Sequence, residues 1–269
     1  MARKPWQRSP HDRPCHKRPL PHGRLRSAPL GADGPAILYG WHTVKAALEN
    51  PARRIRKLLA TENALRRLKD EDVALPVEPE LVRPDLIDAR LGPDAVHQGL
   101  LAEADPLHAP AIGELAAAGI VLVLDQITDP HNVGAILRSA AAFAAGAIVT
   151  TARHSPEATG VLAKAASGAL ELVPMVTVQN LARGLEELRQ RGFLLVGLDS
   201  IGDGDLAALH LRAPLALVLG AEGKGLRQLT KATCDHVARI DLPGEIKSLN
   251  VSNAAALALY VVSRALASA

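Results

Sequence analysis

The segment from Ile240 to Asn253 reads IDLPGEIKSLNVSN and is the most informative stretch of this chain. Before it, His236–Ile240 (HVARI) predicts a short buried strand; after it, Ala254–Val262 (AAALALYVV) predicts a helix buried on every face. Four small polar residues stand at the entrance of that helix, namely Ser248, Asn250, Ser252 and Asn253. A single one would be enough to cap it. We therefore favour a polar ligand at this place over capping alone.

The composition indicates a globular protein. The chain has 269 residues, enough for two domains or one large one, with 48% hydrophobic residues and a mean hydropathy of +0.09. No apolar run reaches the roughly 18–20 residues that a membrane span needs, and no apolar segment follows the basic N-terminus as a secretory signal requires. Cys15 and Cys234 are isolated and lack metal-ligand spacing. The sequence thus predicts a soluble cytoplasmic protein with no metal and no membrane partner.

Positive charge is concentrated at the N-terminus. Residues 1–35 hold eight Lys/Arg against two Asp, a net charge of +6, whereas the whole chain carries +3. Seven prolines in the same segment oppose a packed element, so we predict a disordered basic arm. Such arms neutralise nucleic-acid phosphates without reading sequence. On composition alone, a solvated tail with no partner is an equally good interpretation.

Residues 36–103 predict a small α/β domain, and residues 104–115, with Pro106 and Pro110, predict a linker. The predicted strands or loops of this domain are Ile37–His42, Ile55–Ala60, Leu81–Val82 and His97–Ala102; the predicted helices are one capped by Thr43, Glu62–Lys69 and Asp85–Leu91. Three residues are candidate ligand contacts, namely His42, His97 and Gln98. For these three we favour satisfied surface or core roles.

Residues 116–269 predict a larger α/β domain in which apolar runs alternate with helical segments. The predicted strands are Ile120–Asp125, Ala147–Thr150, Leu172–Val178, Phe193–Asp199, Leu215–Gly220 and Val237–Leu242. The predicted helices are Asn132–Ala145, Pro156–Ala166, Leu181–Gln190, Leu226–Cys234 and the final one from Ala254. Apolar strands separated by helices are typical of a parallel sheet covered on both faces. Ligands of such sheets bind at the carboxyl ends of the strands.

The loop after the first of these strands carries unusual chemistry. It runs from Asp125 through Asp129 into a helix starting near Asn132, with Gly134 in the first turn, where glycine costs stability unless something approaches the backbone. Arg138 follows less than two turns on and is expected to point toward the same helix end. An Arg on an otherwise apolar helix calls for a carboxylate or a phosphate. The alternative is a structural ion pair with one of the two aspartates.

A second loop, Gly220–Gly225 (GAEGKG), combines three glycines with Glu222 and Lys224. It resembles a phosphate cradle, but only two residues separate Gly220 from Gly223, and Gly follows the lysine. A Walker loop needs four residues between its glycines and then Lys-Ser/Thr, and a dinucleotide fold needs Gly-x-Gly-x-x-Gly. The spacing therefore argues against ATP or NAD as the main ligand.

Three motifs in series resemble those of the SpoU family of RNA 2′-O-methyltransferases. They are Asp129–Arg138 (DPHNVGAILR), Leu219–Gly225 (LGAEGKG) and Ser248–Ser252 (SLNVS), and the resemblance covers residues 116 to the C-terminus. The opening segment Leu38–Ala47 (LYGWHTVKAA) is similar to the L30e-like RNA-binding domain that precedes the catalytic domain in this family. Each motif alone is weak, whereas the ordered series is specific.

The resemblance implies a parallel-sheet SPOUT domain with a C-terminal trefoil knot, S-adenosylmethionine as methyl donor, RNA as partner and a homodimer whose active site borrows residues across the interface. It places the donor at Gly220, Ile240 and Leu249. It assigns catalytic or substrate-contacting positions to Arg138, Asn132, Glu222, Ser248 and Asn250. One departure is visible, because family members often have Ile-Pro-Met where this chain has Ile-Asp-Leu at 240–242.

The mechanism implied is in-line transfer of a methyl group to a ribose 2′-OH. Arginine is a poor base, so we expect Arg138 to act electrostatically on the 2′-OH and the adjacent phosphate. Asn132, Ser248 and Asn250 would orient the ribose and the arginine, and Glu222 would orient the arginine or its own loop. The domain order most resembles family members that methylate a guanosine of 23S rRNA. The alternatives are methylation of tRNA and a non-catalytic RNA-binding protein.

Overall fold

A computed structural model describes residues 34–92, 94–153 and 160–268. All but the last two residues of the predicted basic arm lie outside this range, as does the start of the helix predicted from Pro156. The described residues form a small N-terminal sheet and a larger C-terminal one. The domain bounds given from the sequence stay a prediction.

The small sheet is mixed. Its elements are β1 (Ala36–Tyr39), α1 (Trp41–Glu49), β2 (Ile55–Ala60), α2 (Glu62–Asp70), β3 (Glu80–Leu81), α3 (Pro84–Leu91) and β4 (Leu100–Ala104). The strand order is β1-β4-β2-β3, with β4 antiparallel to both of its neighbours and β2 parallel to β3. Leucine and alanine side chains from both helices and strands fill its core.

Two boundaries in the small sheet differ from the prediction, each because of a turn. Helix α1 begins at Trp41 and not after Thr43, because Gly40, at φ +87°, turns the chain directly after β1. Strand β4 begins at Leu100 and not at His97, since residues 98 and 99 both have positive φ. The Thr43 hydroxyl, predicted as a cap, instead donates to the carbonyl of Ala163 in the larger domain, 3.1 Å away.

The larger sheet has seven parallel strands in the order β7-β6-β5-β10-β8-β11-β9. Its strands are β5 (Ile120–Asp125), β6 (Ala147–Thr151), β7 (Met175–Val178), β8 (Leu194–Leu198), β9 (Gly204–Asp205), β10 (Leu215–Gly220) and β11 (His236–Arg239). Its helices are α4 (Pro130–Ala142), α5 (Gly160–Ala166), α6 (Leu181–Gln190), α7 (Gln228–Thr233) and α8 (Val251–Ala267). The two-residue strand β9 was missed by the sequence, because it is too short to carry a pattern.

Strand β5 shows why the sheet is buried on both faces. Leu122 and Leu124 pack in one core cluster with Leu259 of α8, whereas Val121 packs in another with Leu185 of α6. Each fully buried aliphatic side chain contributes roughly 1.5–3 kcal/mol relative to exposure. The prediction of a parallel sheet covered on both sides is confirmed. The trefoil knot stays a prediction.

The final helix is only partly buried, which corrects the prediction that every face is buried. Val251, Ala255, Ala258, Leu259 and Val262 are buried, in keeping with packing on α4 and the sheet. On another face, Leu257 and Tyr260 are 38% and 54% exposed. The reason is geometric, since a helix at the edge of a layer contacts that layer along one stripe only.

The two units meet along α5 and the short 3-10 helix Ala169–Glu171. Ala163 of α5 belongs to the hydrophobic cluster of the small domain. A Cβ on Gly160 would lie 2.7 Å from the Tyr39 ring, so the backbones approach closely there. Within the ranges that the structure covers, no helix combines the length and apolarity needed to cross a bilayer.

Candidate active site

The loop after β5 is tied to the loop after β10 through Asp125. This carboxylate is buried at the strand end, accepts a hydrogen bond from the Arg227 backbone amide (3.1 Å) and pairs with the Arg227 Nε (2.7 Å). Asp129 is also engaged, because it caps α4 by accepting from the amide of His131 at 3.1 Å. Both aspartates are thus used by other partners.

Arg138 makes neither of those ion pairs. It is exposed on α4, and no hydrogen bond or ion pair joins it to any residue in the described part of the chain. The alternative of a structural pair with Asp125 or Asp129 is therefore wrong. A charged side chain that the fold does not use is available for a ligand.

Gly134 has a packing role. A Cβ at this position would lie 2.4 Å from the Cβ of Ala165, so the missing side chain lets α4 and α5 pack against each other. The sequence predicts a close approach to this backbone, and the structure shows that α5 makes it.

The Gly220–Gly225 segment forms a tight loop at the end of β10. The Gly225 amide donates to the Ala221 carbonyl at 2.9 Å, and Gly223 and Gly225 have φ of +74° and +62°. A Cβ on Gly220 would lie 2.2 Å from the carbonyl carbon of Gly225. Only glycine fits where the two backbone segments cross, so the glycines in the sequence determine the shape of this loop.

Asp199, at the end of β8, holds this glycine loop and was missed by the sequence analysis. Its Oδ2 accepts from the amide of Leu226 (3.1 Å) and pairs with Lys231 Nζ (2.8 Å), while Oδ1 accepts from the amide of Ile201 (3.2 Å). Burial raises the pKa of the Asp199 carboxyl, but the hydrogen bonds from Lys231 and the two amides outweigh burial and hold the pKa below its usual range. A carboxylate directly after an apolar strand, as at Asp125, is the signal that could have found it.

Asn250 connects the third motif to the first. It caps α8, since its Oδ1 accepts from the Ser252 amide (2.9 Å) and hydroxyl (2.6 Å). Its Nδ2 donates to the Oδ1 of Asn132 at 3.0 Å. Capping therefore explains part of the polar cluster at the entrance of α8, while the pairing with Asn132 brings two predicted site residues together.

A cavity of about 460 Å³ opens at the carboxyl ends of β8 and β10, within the size range of small-molecule sites. Five of the predicted site residues line it, namely Gly220, Glu222, Ile240, Ser248 and Leu249. We call it the donor cavity. All three residues predicted to hold the methyl donor are among them.

Arg138 lies elsewhere. It lines a second cavity of about 560 Å³ between the two domains, which we call the interdomain cleft, together with Asn50 of the small domain and Glu171. Six residues along a helix correspond to about 9 Å of rise and roughly 120° of rotation, so Arg138 and Asn132 face different directions. The assignment of both residues to one active site stays a prediction. Glu222 and Ser248 line the donor cavity and Arg138 lines the interdomain cleft, so their predicted contact with Arg138 also stays a prediction.

The histidine and glutamine candidates of the small domain have structural partners. His97 Nε2 lies 3.1 Å from Asp88 Oδ1, and its Nδ1 accepts from the amide of Gly99 at 3.0 Å. Gln98 Oε1 accepts from the Trp41 amide (2.9 Å) and from Lys164 Nζ (3.1 Å). The satisfied roles favoured from the sequence account for these two residues, while His42 is exposed.

The lining of the donor cavity suits an adenosyl sulfonium compound. Leu198, Leu219, Leu242 and Val251 supply apolar surface beside the glycine loop. Glu222 is exposed at the rim and, in the described ranges, has no cationic partner, so its carboxylate is free for a positively charged ligand. Apolar walls with a few polar groups are typical of cofactor sites.

The chain belongs to the SpoU rRNA methylase family. The family model matches residues 119–260, and residues 37–110 match the model for substrate binding by RNA 2′-O ribose methyltransferases. The resemblance stated from the three motifs is thereby confirmed, and RNA is the partner that the substrate-binding match indicates.

Among individual relatives, the 23S rRNA (guanosine-2′-O-)-methyltransferase RlmB of Ralstonia nicotianae is 39% identical over 85% of this chain and 95% of its own. RlmB of Pseudomonas putida is 35% identical over 84% and 95%. The crystal structure of the SpoU methyltransferase AviRb from Streptomyces viridochromogenes, in complex with the cofactor AdoMet, superposes with a TM-score of 0.72 at 26% identity over 86% of this chain and 90% of its own.

Proposed function

We propose that this protein transfers a methyl group from S-adenosylmethionine to the ribose 2′-OH of a guanosine in 23S rRNA. The proposal rests above all on the donor cavity, where the second and third family motifs converge at the carboxyl ends of parallel strands. The two RlmB relatives, matched over nearly their whole length, support the substrate. A ribosomal RNA substrate favours a cytoplasmic location.

The donor would be held by backbone more than by side chains. Gly220, Ile240 and Leu249 come from three separate segments and surround the same cavity. When bound, the donor supplies an activated methyl group on a sulfonium. The chain contributes apolar surface for the adenine and the Glu222 carboxylate for the positive charge.

The chemistry on the RNA side is assigned to Arg138. A guanidinium stays protonated, so Arg138 would stabilise the developing alkoxide of the 2′-OH and contact the adjacent phosphate, without removing the proton itself. Asn132 and Asn250 form one hydrogen-bonded pair that would orient the ribose, with Ser248 beside them on the cavity wall.

We further propose a homodimer that completes the active site. Within one chain, Arg138 and the donor cavity are separate, so a second copy is needed to bring them together. The support is the exposed face of α8, where Leu257 and Tyr260 are uncovered, and α8 packs directly on α4, which carries Arg138. Tyr260→Lys should therefore yield a monomer by light scattering and abolish methyl transfer.

In this proposal residues 36–103 bind RNA, 104–115 link the domains and 116–269 form the catalytic domain with a trefoil knot, while the basic arm adds salt-dependent affinity. Arg191 of the catalytic domain contacts the linker, because its guanidinium donates to the carbonyls of Gly113 and Leu115. The linker is thus attached to the catalytic domain along its C-terminal part.

The test is methyl transfer from labelled S-adenosylmethionine to unmodified 23S rRNA and unmodified tRNA, followed by mapping of ribose methylation. A single methylated guanosine in 23S rRNA is the expected result. Label in tRNA alone would keep the chemistry and refute the substrate. If neither RNA is labelled while the donor binds in calorimetry, the 23S rRNA substrate is wrong, and the protein either binds RNA without turnover or acts on a different RNA. The matched control is Arg138→Ala, which should bind the donor normally but transfer its methyl group roughly 10²–10³-fold more slowly.

A further inference from the structure

A buried ion pair joins the two domains. Arg53 lies just before β2 in the small domain, and Glu171 ends the 3-10 helix of the larger domain. The Arg53 guanidinium donates two hydrogen bonds to the Glu171 carboxylate, from Nη2 to Oε1 at 2.6 Å and from Nε to Oε2 at 3.0 Å. The two side chains are only 5% and 3% exposed. A bidentate pair of this kind fixes both the distance and the angle between its partners.

Two further hydrogen bonds support this ion pair. Asn50 Nδ2 donates to Glu171 Oε2 at 2.7 Å, and Arg53 Nη1 donates to the carbonyl of Asp105 at 2.9 Å. Asp105 is the first residue after β4, so the network also anchors the start of the linker. A buried pair adds little net stability, but it penalises any arrangement that leaves one charge unpaired. The network therefore selects one relative orientation of the domains.

The surrounding packing is equally specific. A Cβ on Gly168 would lie 2.8 Å from the Ala46 Cβ, so the loop before Glu171 runs directly against α1. The buried hydrogen bond from Thr43 to the Ala163 carbonyl adds a second polar contact across the same surface. Sliding one domain over the other would break both the ion pair and this close fit.

This contact borders the interdomain cleft. Asn50 and Glu171 of the ion-pair network line one side of the cleft, and Arg138 of α4 also lines it. The small domain is thus held in front of the Arg138 that belongs to its own chain.

We propose that Arg53 and Glu171 are positioning residues: they dock the RNA-binding domain so that RNA held by it is presented to Arg138 of the same chain. This inference rests on the proposed function and deepens it. The physical reason is the fraction of molecules in which the small domain is correctly oriented. A domain on a free linker would spend only part of its time in the productive orientation, and the apparent RNA affinity would fall by that fraction.

The test is Glu171→Gln, which keeps the shape of the side chain and removes its charge. We expect the KM for rRNA and the Kd for RNA to rise by about tenfold, with kcat and the donor Kd unchanged, because only the docked fraction changes. Small-angle scattering of the full chain should show a larger radius of gyration. Asn50→Ala, which removes one uncharged donor to the Glu171 carboxylate and keeps the ion pair, should shift the KM in the same direction by less.

The matched control is Glu80→Gln, which removes the same charge from the exposed Lys57–Glu80 pair of the small domain. It should change neither the KM nor the scattering. A loosened Glu171→Gln protein with an unchanged KM and RNA Kd would overturn the proposal. So would parallel losses of kcat, donor binding and melting temperature, which indicate a purely structural role. If the wild type methylates no RNA, the proposed function fails, and the RNA Kd together with scattering still decides whether the Arg53–Glu171 pair positions RNA.

Discussion

The two cavities of this molecule are built in opposite ways. The donor cavity lies among loops whose shape is set by glycines and by backbone contacts, and its predicted side chains, Glu222 and Ser248, are exposed. The interdomain cleft is bordered by a buried side-chain network centred on Glu171. A donor common to many enzymes can be held by backbone geometry, whereas the placement of a large RNA requires one domain to be fixed against another.

The largest effect should come from Arg138→Ala. Because Arg138 would stabilise charge that develops in the transition state, kcat should fall by roughly 10²–10³-fold. Donor affinity should stay unchanged, since Arg138 lines the interdomain cleft and not the donor cavity. Single-turnover kinetics and calorimetry measure the two quantities. Arg138→Lys keeps the positive charge but loses the planar arrangement of the guanidinium nitrogens. Near-normal turnover of that variant would refute the geometric role of the guanidinium.

Gly220→Ala should act on the other cavity. The added Cβ would lie 2.2 Å from the Gly225 carbonyl carbon, so the glycine loop must shift. Forcing such an overlap costs about 1–3 kcal/mol, and donor affinity should drop roughly ten- to hundredfold. Calorimetric titration with S-adenosylmethionine checks it. Gly204→Ala, in β9 of the same sheet, meets no atom within 4 Å and should bind the donor normally. Equal loss in both variants would show that the crowding argument is wrong.

The residues of the donor cavity could be predicted from the sequence, whereas the contacts that border the interdomain cleft could not. Three motif segments, each following an apolar strand, predict convergence at one sheet edge, and the second and third motifs do converge there. Gly220, Ile240 and Leu249, which the family resemblance assigns to the donor, line that one cavity. Nothing local signals that Arg53 will meet Glu171, because the pair spans 118 residues. Local patterns report helix and strand periods, whereas docking depends on long-range geometry.

The position of Arg138 illustrates the same limit. Its spacing from Asn132 is a sequence fact, but which cavity it faces depends on how α4 is rotated against α5 and α8. Gly134 controls part of that rotation, since its missing side chain lets α5 approach within contact distance. The exposed stripe of α8 was missed for a related reason, because an apolar helix at a layer edge looks the same in sequence as a fully buried one.

The Asn132–Asn250 pair tests whether the first and third motifs act together. Asn250→Ala removes both the α8 cap and the bond to Asn132, whereas Asn132→Ala removes only the shared bond. A double-mutant cycle on the free energy of unfolding should give a coupling of about 0.5–1.5 kcal/mol. Denaturant titration of the four proteins measures it. Strict additivity would mean that the 3.0 Å contact carries no energy.

The smallest effect concerns Asp199 and its dependence on pH. Lys231 and two amides hold the pKa of this carboxyl below its usual range, so the charged form stabilises the folded state. That contribution is present above the pKa of the unfolded chain, about 4, and is lost as the pH falls through the folded-state value. Lys231 reaches solvent, so the loss on substitution is partly offset by hydration. The melting temperature of Asp199→Asn should therefore lie modestly below that of the wild type at pH 7, and the gap should close as the pH is lowered below about 4. A gap that stays constant down to pH 3 would show that hydrogen-bond geometry, and not the charge of Asp199, holds the glycine loop to β8.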